Sequence, residues 1–375
     1  MDKKYLSEKV LPNFKIDGML RSVETKTNGN INKTFIATYD QGNKGIKRFL
    51  LQKINASVFT EPYKLMKNVD GVTRHIAKKL EERGDTVHKP LTVIKTNGNQ
   101  FLYAIKDHAG ENDYYRVYNY IEGSTSYDVT DDLTVVKSAG RAFGHFQGML
   151  IDYDMNEIEE TIPHFHNTQK RYKKFMNDVR IDAYDRADSV AEEILFIIKR
   201  EDDCSAIVDR IKQGTIPLRV IHNDTKLNNV MFDVETGDFK TVIDLDTVMP
   251  GYVGYDWADG ARVAAAKVKE DDPRIDLVGL DMDKLAAFTD GYLSETSHFL
   301  LPDEIKFLGK TLKVITLELG MRFLNDYING DTYFKTDYPE HNLVRARNQL
   351  ALVKAIEDNE DKIETHIQKV YKMYK

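Results

Sequence analysis

The sequence predicts an α+β fold in two lobes, the first rich in strands and the second in helices. Three observations carry this expectation. The chain has 375 residues, which suits two modest cores better than one small one. Short alternating apolar runs fill the first third, whereas apolar residues three and four apart dominate beyond Asp132, the periods of strand and helix respectively. The change of texture falls at Glu122-Gly123, so residues 1–122 are expected to form one lobe and residues 123–375 the other.

Taken in order, residues 19–26 read as a strand, and Asn28-Gly29-Asn30 marks a turn, because Asn and Gly tolerate positive φ. Residues 33–39 and 45–54 read as strands. Residues 61–83 have helical spacing, with Leu65, Val69, Val72, Ile76 and Leu80 on one face. Two further strands, 87–95 and 100–106, flank Asn97-Gly98, a two-residue hairpin signal, and 114–121 is another extended apolar and aromatic run. Helices are expected over 135–150, 189–213, 285–294, 303–329 and 343–374, interrupted by a short strand pair between 230 and 245.

Composition narrows the function classes. With 41% hydrophobic and 30% charged residues the chain is globular rather than disordered. Its formal net charge of -7 lacks the basic excess of a nucleic-acid grip, so no nucleic-acid partner is expected. Cys204 is the one cysteine; an intrachain disulfide is impossible, which fits a reducing cytoplasm, and the thiol reads as inert. The first ten residues are charged and show no signal peptide. No apolar run reaches membrane-spanning length. A cytoplasmic protein without a membrane or obligate protein partner is expected.

The informative segment is His222-Asn223-Asp224-Thr225-Lys226-Leu227-Asn228-Asn229, preceded by an apolar strand-like run over 218–221. It contains His-x-Asp-x-x-x-x-Asn, the spacing of a phosphotransfer catalytic loop. Asp224 has to reach a substrate hydroxyl while Asn229 reaches a metal on the phosphates, and four intervening loop residues let both converge. A hairpin follows, with its turn at Glu235-Thr236-Gly237-Asp238, and its second strand runs into Asp244-Leu245-Asp246. A hairpin returns the chain to its start, so Asp244 is expected beside Asn229. Oxygen ligands of this kind suit Mg²⁺. Asp224 is therefore the candidate base, and Asn229 and Asp244 the candidate metal ligands. Asp246 either supports a second metal position or caps the next helix. His222 reads more as a scaffold than as a proton carrier, since Asp224 fills that role. Lys226 either neutralises charge on the transferring phosphate or is solvated.

These residues resemble the aminoglycoside phosphotransferase and choline kinase superfamily, and its N-acetylhexosamine 1-kinase branch most closely. The segments that resemble the branch include Gln52-Lys53-Ile54-Asn55 with Val58-Phe59, Leu65-Met66-Lys67-Asn68-Val69, Arg116-Val117-Tyr118 and the catalytic loop. Ile243 to Thr247 with Met249-Pro250-Gly251, Gly320 to Leu324, and Tyr338 to Arg345 complete the set. The resemblance implies a protein-kinase-like fold with ATP as co-substrate in the cleft, and adenine at a hinge near Tyr118, Asn119 and Tyr120. It implies that Asn30, Asn32 and Gln52 line the nucleotide side. Asn30, Arg322 and Tyr333 would contact the sugar, and Asp256 would hold the catalytic loop's backbone. Two departures stand out. Gln52, with Lys53 beside it, occupies the position of the usual third-strand lysine. Asn30 stands where the branch usually has histidine, and its amide still hydrogen-bonds.

The expected activity is thus ATP- and Mg²⁺-dependent phosphorylation of the anomeric hydroxyl of a free N-acetylhexosamine. Rival readings are a metal-dependent hydrolase using His222, Asp224, Asn229, Asp244 and Asp246, and a pseudokinase interaction module. A hydrolase would want more histidines at ligand spacing, and His164 and His166 sit apart on loop-like sequence. A kinase of choline, an amino alcohol or an aminoglycoside would want an acidic, aromatic pocket for its cation; Arg322 argues for a neutral, hydroxyl-rich acceptor.

Overall fold

The structure, a computed structural model, describes residues 2–26, 31–107 and 109–375. The turn expected at Asn28-Gly29-Asn30, and with it the candidate site residue Asn30, lies outside the described residues.

The N-terminal lobe is an antiparallel sheet with one long helix. After the short helix α1 (Lys3–Tyr5) and further helical turns come β1 (Met19–Lys26), β2 (Lys33–Asp40), β3 (Ile46–Ile54), α2 (Pro62–Glu82), β4 (Val93–Ile94), β5 (Tyr103–Lys106) and β6 (Asn112–Asn119). The strand order is β1-β2-β3-β6-β4, with β5 also on β6. Leu6, Val10, Leu11 and Phe14 cover one face of this sheet. The other face joins α2 and the C-terminal lobe in one continuous apolar core, because alternate residues of a strand point to opposite faces.

The expected hairpin around Asn97-Gly98 is a turn but not a paired hairpin. Asn99, not Gly98, adopts positive φ (62°), and both flanking strands pair with β6 instead of each other. The long aromatic strand β6 offers a whole edge, which outcompetes the local pairing that the turn residues favour.

The C-terminal lobe is mostly helical: β7 (Ser124–Thr125), α3 (Leu133–Met149), α4 (Thr168–Ile181), α5 (Ala191–Ile198), α6 (Glu201–Lys212), β8 (Arg219–Ile221), β9 (Val230–Asp233), β10 (Phe239–Val242), β11 (Met249–Gly251), α7 (Val253–Ala265), α8 (Met282–Thr296), α9 (Pro302–Lys306), α10 (Leu308–Ile328), α11 (His341–Glu357) and α12 (Glu360–Tyr374). Since Ser124 already pairs with Asp233, we propose that the chain crosses between lobes over residues 120–123.

Three expected helices are each two. The first breaks at Arg200, whose guanidinium lies over the Phe196 ring and binds Glu357. The other breaks fall at Phe307 and Asn359. Helix α7 escaped prediction because it is buried on all sides, Asp256 and Asp259 included, and so shows no polar face. Helix α4 is mostly polar and buries only Thr168, Tyr172 and Phe175. Helices α3 and α8 touch backbone to backbone: a Cβ at Gly140 would lie 2.1 Å from the Phe288 carbonyl oxygen, and one at Gly291 2.0 Å from that of Lys137.

Candidate active site

The catalytic loop is held from beneath by α7. The two carboxylate oxygens of Asp256 accept the amides of His222 and Asn223, each at 2.8 Å, and Gln147 donates to one of them at 2.6 Å. This is the arrangement that the resemblance implied for Asp256. Thr225 adds a bond from its hydroxyl to the Asp256 carbonyl at 2.6 Å. Asn223 takes positive φ (66°), a conformation asparagine tolerates better than most residues, and its side chain donates to the Thr247 carbonyl at 2.9 Å.

His222 is fully buried. Its Nε2 meets the Ile243 carbonyl at 2.9 Å and its Nδ1 accepts the Asp224 amide at 3.2 Å. Those two bonds require a neutral ring with the proton on Nε2. The imidazole is thus a strut between the loop and β10, with no nitrogen left for a substrate.

Asp224 is partly open to the cleft. One oxygen pairs with Lys226 at 2.7 Å, and the other accepts from Asn229 at 3.2 Å. Asp224 is the foremost cause that pushes the Lys226 ammonium pKa up, which keeps this cation charged beside the candidate base. The Ile243 amide donates to the Asn229 carbonyl at 2.8 Å, so the hairpin delivers Asp244 next to Asn229, as its sequence implied. Asp244 itself has positive φ (61°), a strained setting for a non-glycine residue and one that clusters at functional sites.

The electrostatics favour a cation here. Desolvation by the surrounding protein, then the carboxylates of Asp246 and Asp224, push the Asp244 carboxyl up to about 7, against the pull of Arg116 and Lys226, while its side chain stays open to the cleft. Three carboxylates and the Asn229 amide are an all-oxygen donor set, which fits Mg²⁺.

Of the two readings made for Asp246, the helix cap is the one the structure overturns. Asp246 does not cap α7, whose N-cap is Tyr252. Its two oxygens are taken by Arg116 at 2.5 and 2.8 Å, and Asn32 donates to one of them at 2.7 Å. Any metal contact must share a carboxylate already committed to a guanidinium. Arg116 on β6 was legible only as part of a motif, yet an arginine between Tyr115 and Val117 in a buried strand is a signal in itself, since a buried charge needs a partner.

Gln52 bridges Thr34 (3.1 Å) and Arg116 (3.0 Å) on the cleft-facing side of β3, while Lys53 is turned away to pair with Asp113. The cation near the third-strand position is therefore Arg116, from the neighbouring strand. Asn32 links the first loop to the Asn55 amide at 3.0 Å. At the hinge, the amides of Asn119 and Tyr120 donate to the Thr92 and Arg48 carbonyls, and Tyr118 is buried. Asn68 of α2 donates to the Val248 carbonyl at 3.0 Å, fixing the Asp244–Val248 stretch from the N-terminal lobe.

Arg322 and Tyr333 lie together, the Arg322 guanidinium 6.0 Å from the centre of the Tyr333 ring and 5.3 Å from that of Phe334. Tyr333 is 70% exposed. Asp326 gathers the amides of Thr332, Tyr333 and Phe334 at 2.8 to 3.0 Å and the Asn342 side chain at 2.9 Å. Arg171, which the sequence reading missed, stands close enough to Arg322 for the two charges to oppose each other. Buried Glu318 anchors this corner, accepting from His166 at 3.0 Å and Thr168 at 2.5 Å and facing Arg171 at 3.4 Å. Burial works against its ionisation, but Arg171, His166 and Thr168 outweigh burial and hold the carboxyl down to about 2. His164 pairs with Lys170 at 2.6 Å. Neither His164 nor His166 joins Asp224, which removes the histidines that a hydrolase would need. No helix is long and apolar enough to cross a membrane among the described residues.

A strand-rich lobe over a helical lobe, with a loop aspartate, a loop asparagine and a hairpin aspartate at the cleft, defines a kinase-like phosphotransferase. The family model of the phosphotransferase enzyme family (APH) matches residues 23–288, and the chain belongs to that family. In structure it is similar to amicoumacin kinase hAmiN in complex with AMP-PNP, Ca²⁺ and Ami (14% identity, 96% of this chain and 94% of that one, TM-score 0.59). It is also similar to a microcompartment-associated aminopropanol kinase (14% identity, 96% and 97%, TM-score 0.59). A third is spectinomycin phosphotransferase APH(9)-Ia with ADP and spectinomycin (11% identity, 95% and 99%, TM-score 0.59). At these identities the likeness is one of fold.

Proposed function

We propose that the chain transfers the γ-phosphoryl group of ATP to the anomeric hydroxyl of a free N-acetylhexosamine, giving the sugar 1-phosphate and ADP. The observation that carries the reaction type is the convergence of Asp224, Asn229 and Asp244, set by the Ile243–Asn229 backbone bond. Asp224 orients the acceptor hydroxyl and takes its proton. Lys226, paired with Asp224, offsets the charge that develops on the transferring group. Asn229 and Asp244 hold Mg²⁺, with Asp246 beside them. When bound, the ion neutralises charge on the β- and γ-phosphates. Phosphoryl transfer needs little beyond such positioning and neutralisation.

The acceptor class rests on the C-terminal lobe. Two segments that resemble the 1-kinase branch, Gly320 to Leu324 and Tyr338 to Arg345, meet in space: Arg345 lies over the Phe323 ring at 5.5 Å. They carry Arg322 and brace the loop of Tyr333. Two guanidinium groups, Arg171 and Arg322, disfavour a cationic acceptor such as an amino alcohol or aminoglycoside and suit a neutral, oxygen-rich one.

The test is ADP release across free sugars, amino alcohols and aminoglycosides, with NMR of the product. Coupling between phosphorus and the anomeric proton is expected. A sugar lacking the 6-hydroxyl should still react, whereas one lacking the 1-hydroxyl should bind without turnover. A 6-phosphate product would refute anomeric transfer, and turnover of amino alcohols alone would refute the sugar reading.

A further inference from the structure

We propose that Asp85, His88 and His145 form a second metal site, on the rear seam between the lobes, that takes a first-row divalent cation of the Zn²⁺ type. One ligand atom from each of the three residues lies within 4.8 Å of the others. Asp85 and His88 belong to the segment that follows α2 in the N-terminal lobe, and His145 to α3 in the C-terminal lobe. The site would be shared by both lobes.

The local chemistry is arranged for imidazole ligation. Asp85 Oδ1 accepts the amides of Val87 (2.9 Å) and His88 (3.0 Å), which fixes the carboxylate, and His88 Nδ1 donates to Oδ2 at 2.5 Å. A metal would replace the proton shared by Nδ1 and Oδ2, so that the ring nitrogen and the carboxylate oxygen face one ion. The His145 ring lies 4.5 Å from that of His88. Its Nε2 is buried with no hydrogen-bond partner among the described residues, and a buried polar atom left unpaired calls for an explanation.

The surroundings complete the picture. Phe239 stacks on His88 at 4.4 Å. A cavity of about 30 Å³ borders both histidines, enough for a water to serve as a further ligand. None of Asp224, Asn229 or Asp244 lines this cavity. Among the nearby cations, Arg141 is engaged with Asp238 and Glu295, Lys240 with Asp233, and the Lys89 ammonium with the Thr86 carbonyl, while Arg83 also acts on His145. Two imidazoles and one carboxylate suit Zn²⁺ rather than Mg²⁺. Tetrahedral Zn²⁺ wants its ligand atoms roughly 3.3 Å apart, so the three side chains would shift by about an ångström on binding. An ion here would tie the lobes together behind the cleft. It would also press on β10, the strand that leads to Asp244.

The test is calorimetric titration of chelator-stripped full-length protein with Zn²⁺ in saturating Mg²⁺, which keeps the oxygen ligands of the cleft occupied. One Zn²⁺ per chain is expected, with affinity falling at least tenfold in His145→Gln and in His88→Gln. Co²⁺ should give visible absorption that both substitutions abolish. If either histidine variant misfolds by circular dichroism, Asp85→Asn decides, with an expected loss of about 10- to 100-fold. No binding by the unaltered protein, unchanged binding in all three variants, or binding that Mg²⁺ displaces would overturn the proposal.

Discussion

Arg116 of the N-terminal lobe and Asp246 of the C-terminal lobe form a bidentate ion pair, with contacts of 2.5 and 2.8 Å and side chains 1% and 4% exposed. Removing one member of a buried pair strands the other and typically costs about 3–5 kcal/mol. Arg116→Gln should therefore lower stability by about that amount in denaturant unfolding. The double substitution Arg116→Met with Asp246→Leu should recover most of it, because apolar replacement of both partners is often close to neutral. A double variant no more stable than Arg116→Gln would mean that the pair is not the source of the loss.

Asp224→Asn should retain nucleotide binding and lose turnover. Positioned proton transfer is worth about 10²–10⁴ in rate, and the neutral amide also ends the ion pair with Lys226. Rapid-quench assays at saturating ATP decide this; a rate within a few-fold of the parent removes Asp224 from the chemistry.

Asp244→Ala should abolish activity at every Mg²⁺ concentration, whereas Asn229→Ala should recover partly as Mg²⁺ rises, since a neutral ligand contributes less charge. Mg²⁺ titrations of each variant read this out. Activity of Asp244→Ala in the presence of chelator is the outcome that sinks the assignment.

Arg322→Ala should raise KM for the acceptor sugar far more than KM for ATP, the pattern of binding lost at one subsite. The guanidinium has aromatic rings as its neighbours, so folding should survive. Equal effects on both substrates would return Arg322 to a structural role.

Glu318 gives a pH prediction. Its folded carboxyl is held down to about 2, against an ordinary value of 4.5. A depressed pKa adds stability that is full above 4.5 and disappears as pH falls through 2. Glu318→Gln should thus cost on the order of 3 kcal/mol near neutrality, and the gap to the parent should narrow between pH 4.5 and 2. Urea unfolding across that range measures it; a pH-independent gap would show that the charge is not what stabilises this corner.

Much of this arrangement was legible in the sequence. The loop spacing and the hairpin after it placed Asp224, Asn229 and Asp244 together, because a hairpin has to return to its origin. The two-lobed fold followed from the switch of hydrophobic period. What stayed hidden depends on contacts distant in sequence. Arg116 and Asp246 are 130 residues apart, and neither lies in a local pattern that names its partner. Arg171 shows its place only once Glu318 draws α4 against α10. The helix breaks at Arg200, Phe307 and Asn359 interrupt apolar patterns that continue on both sides, so periodicity passes over them. The Asn97-Gly98 pairing failed for the opposite reason: a strong local signal yielded to the longer edge of β6.

Asp326 suspends the Tyr333 loop by three backbone amides, and it does so without using any side chain of that loop. The exposed side chains of Thr332 and Tyr333 are therefore free to be exchanged, whereas Phe334 packs against Phe323. On the proposed assignment, this makes acceptor preference an interchangeable module bolted to a fixed phosphotransfer engine. Randomising Thr332 and Tyr333 while leaving Asp326 and Phe334 in place is the library in which altered sugar selectivity should be sought.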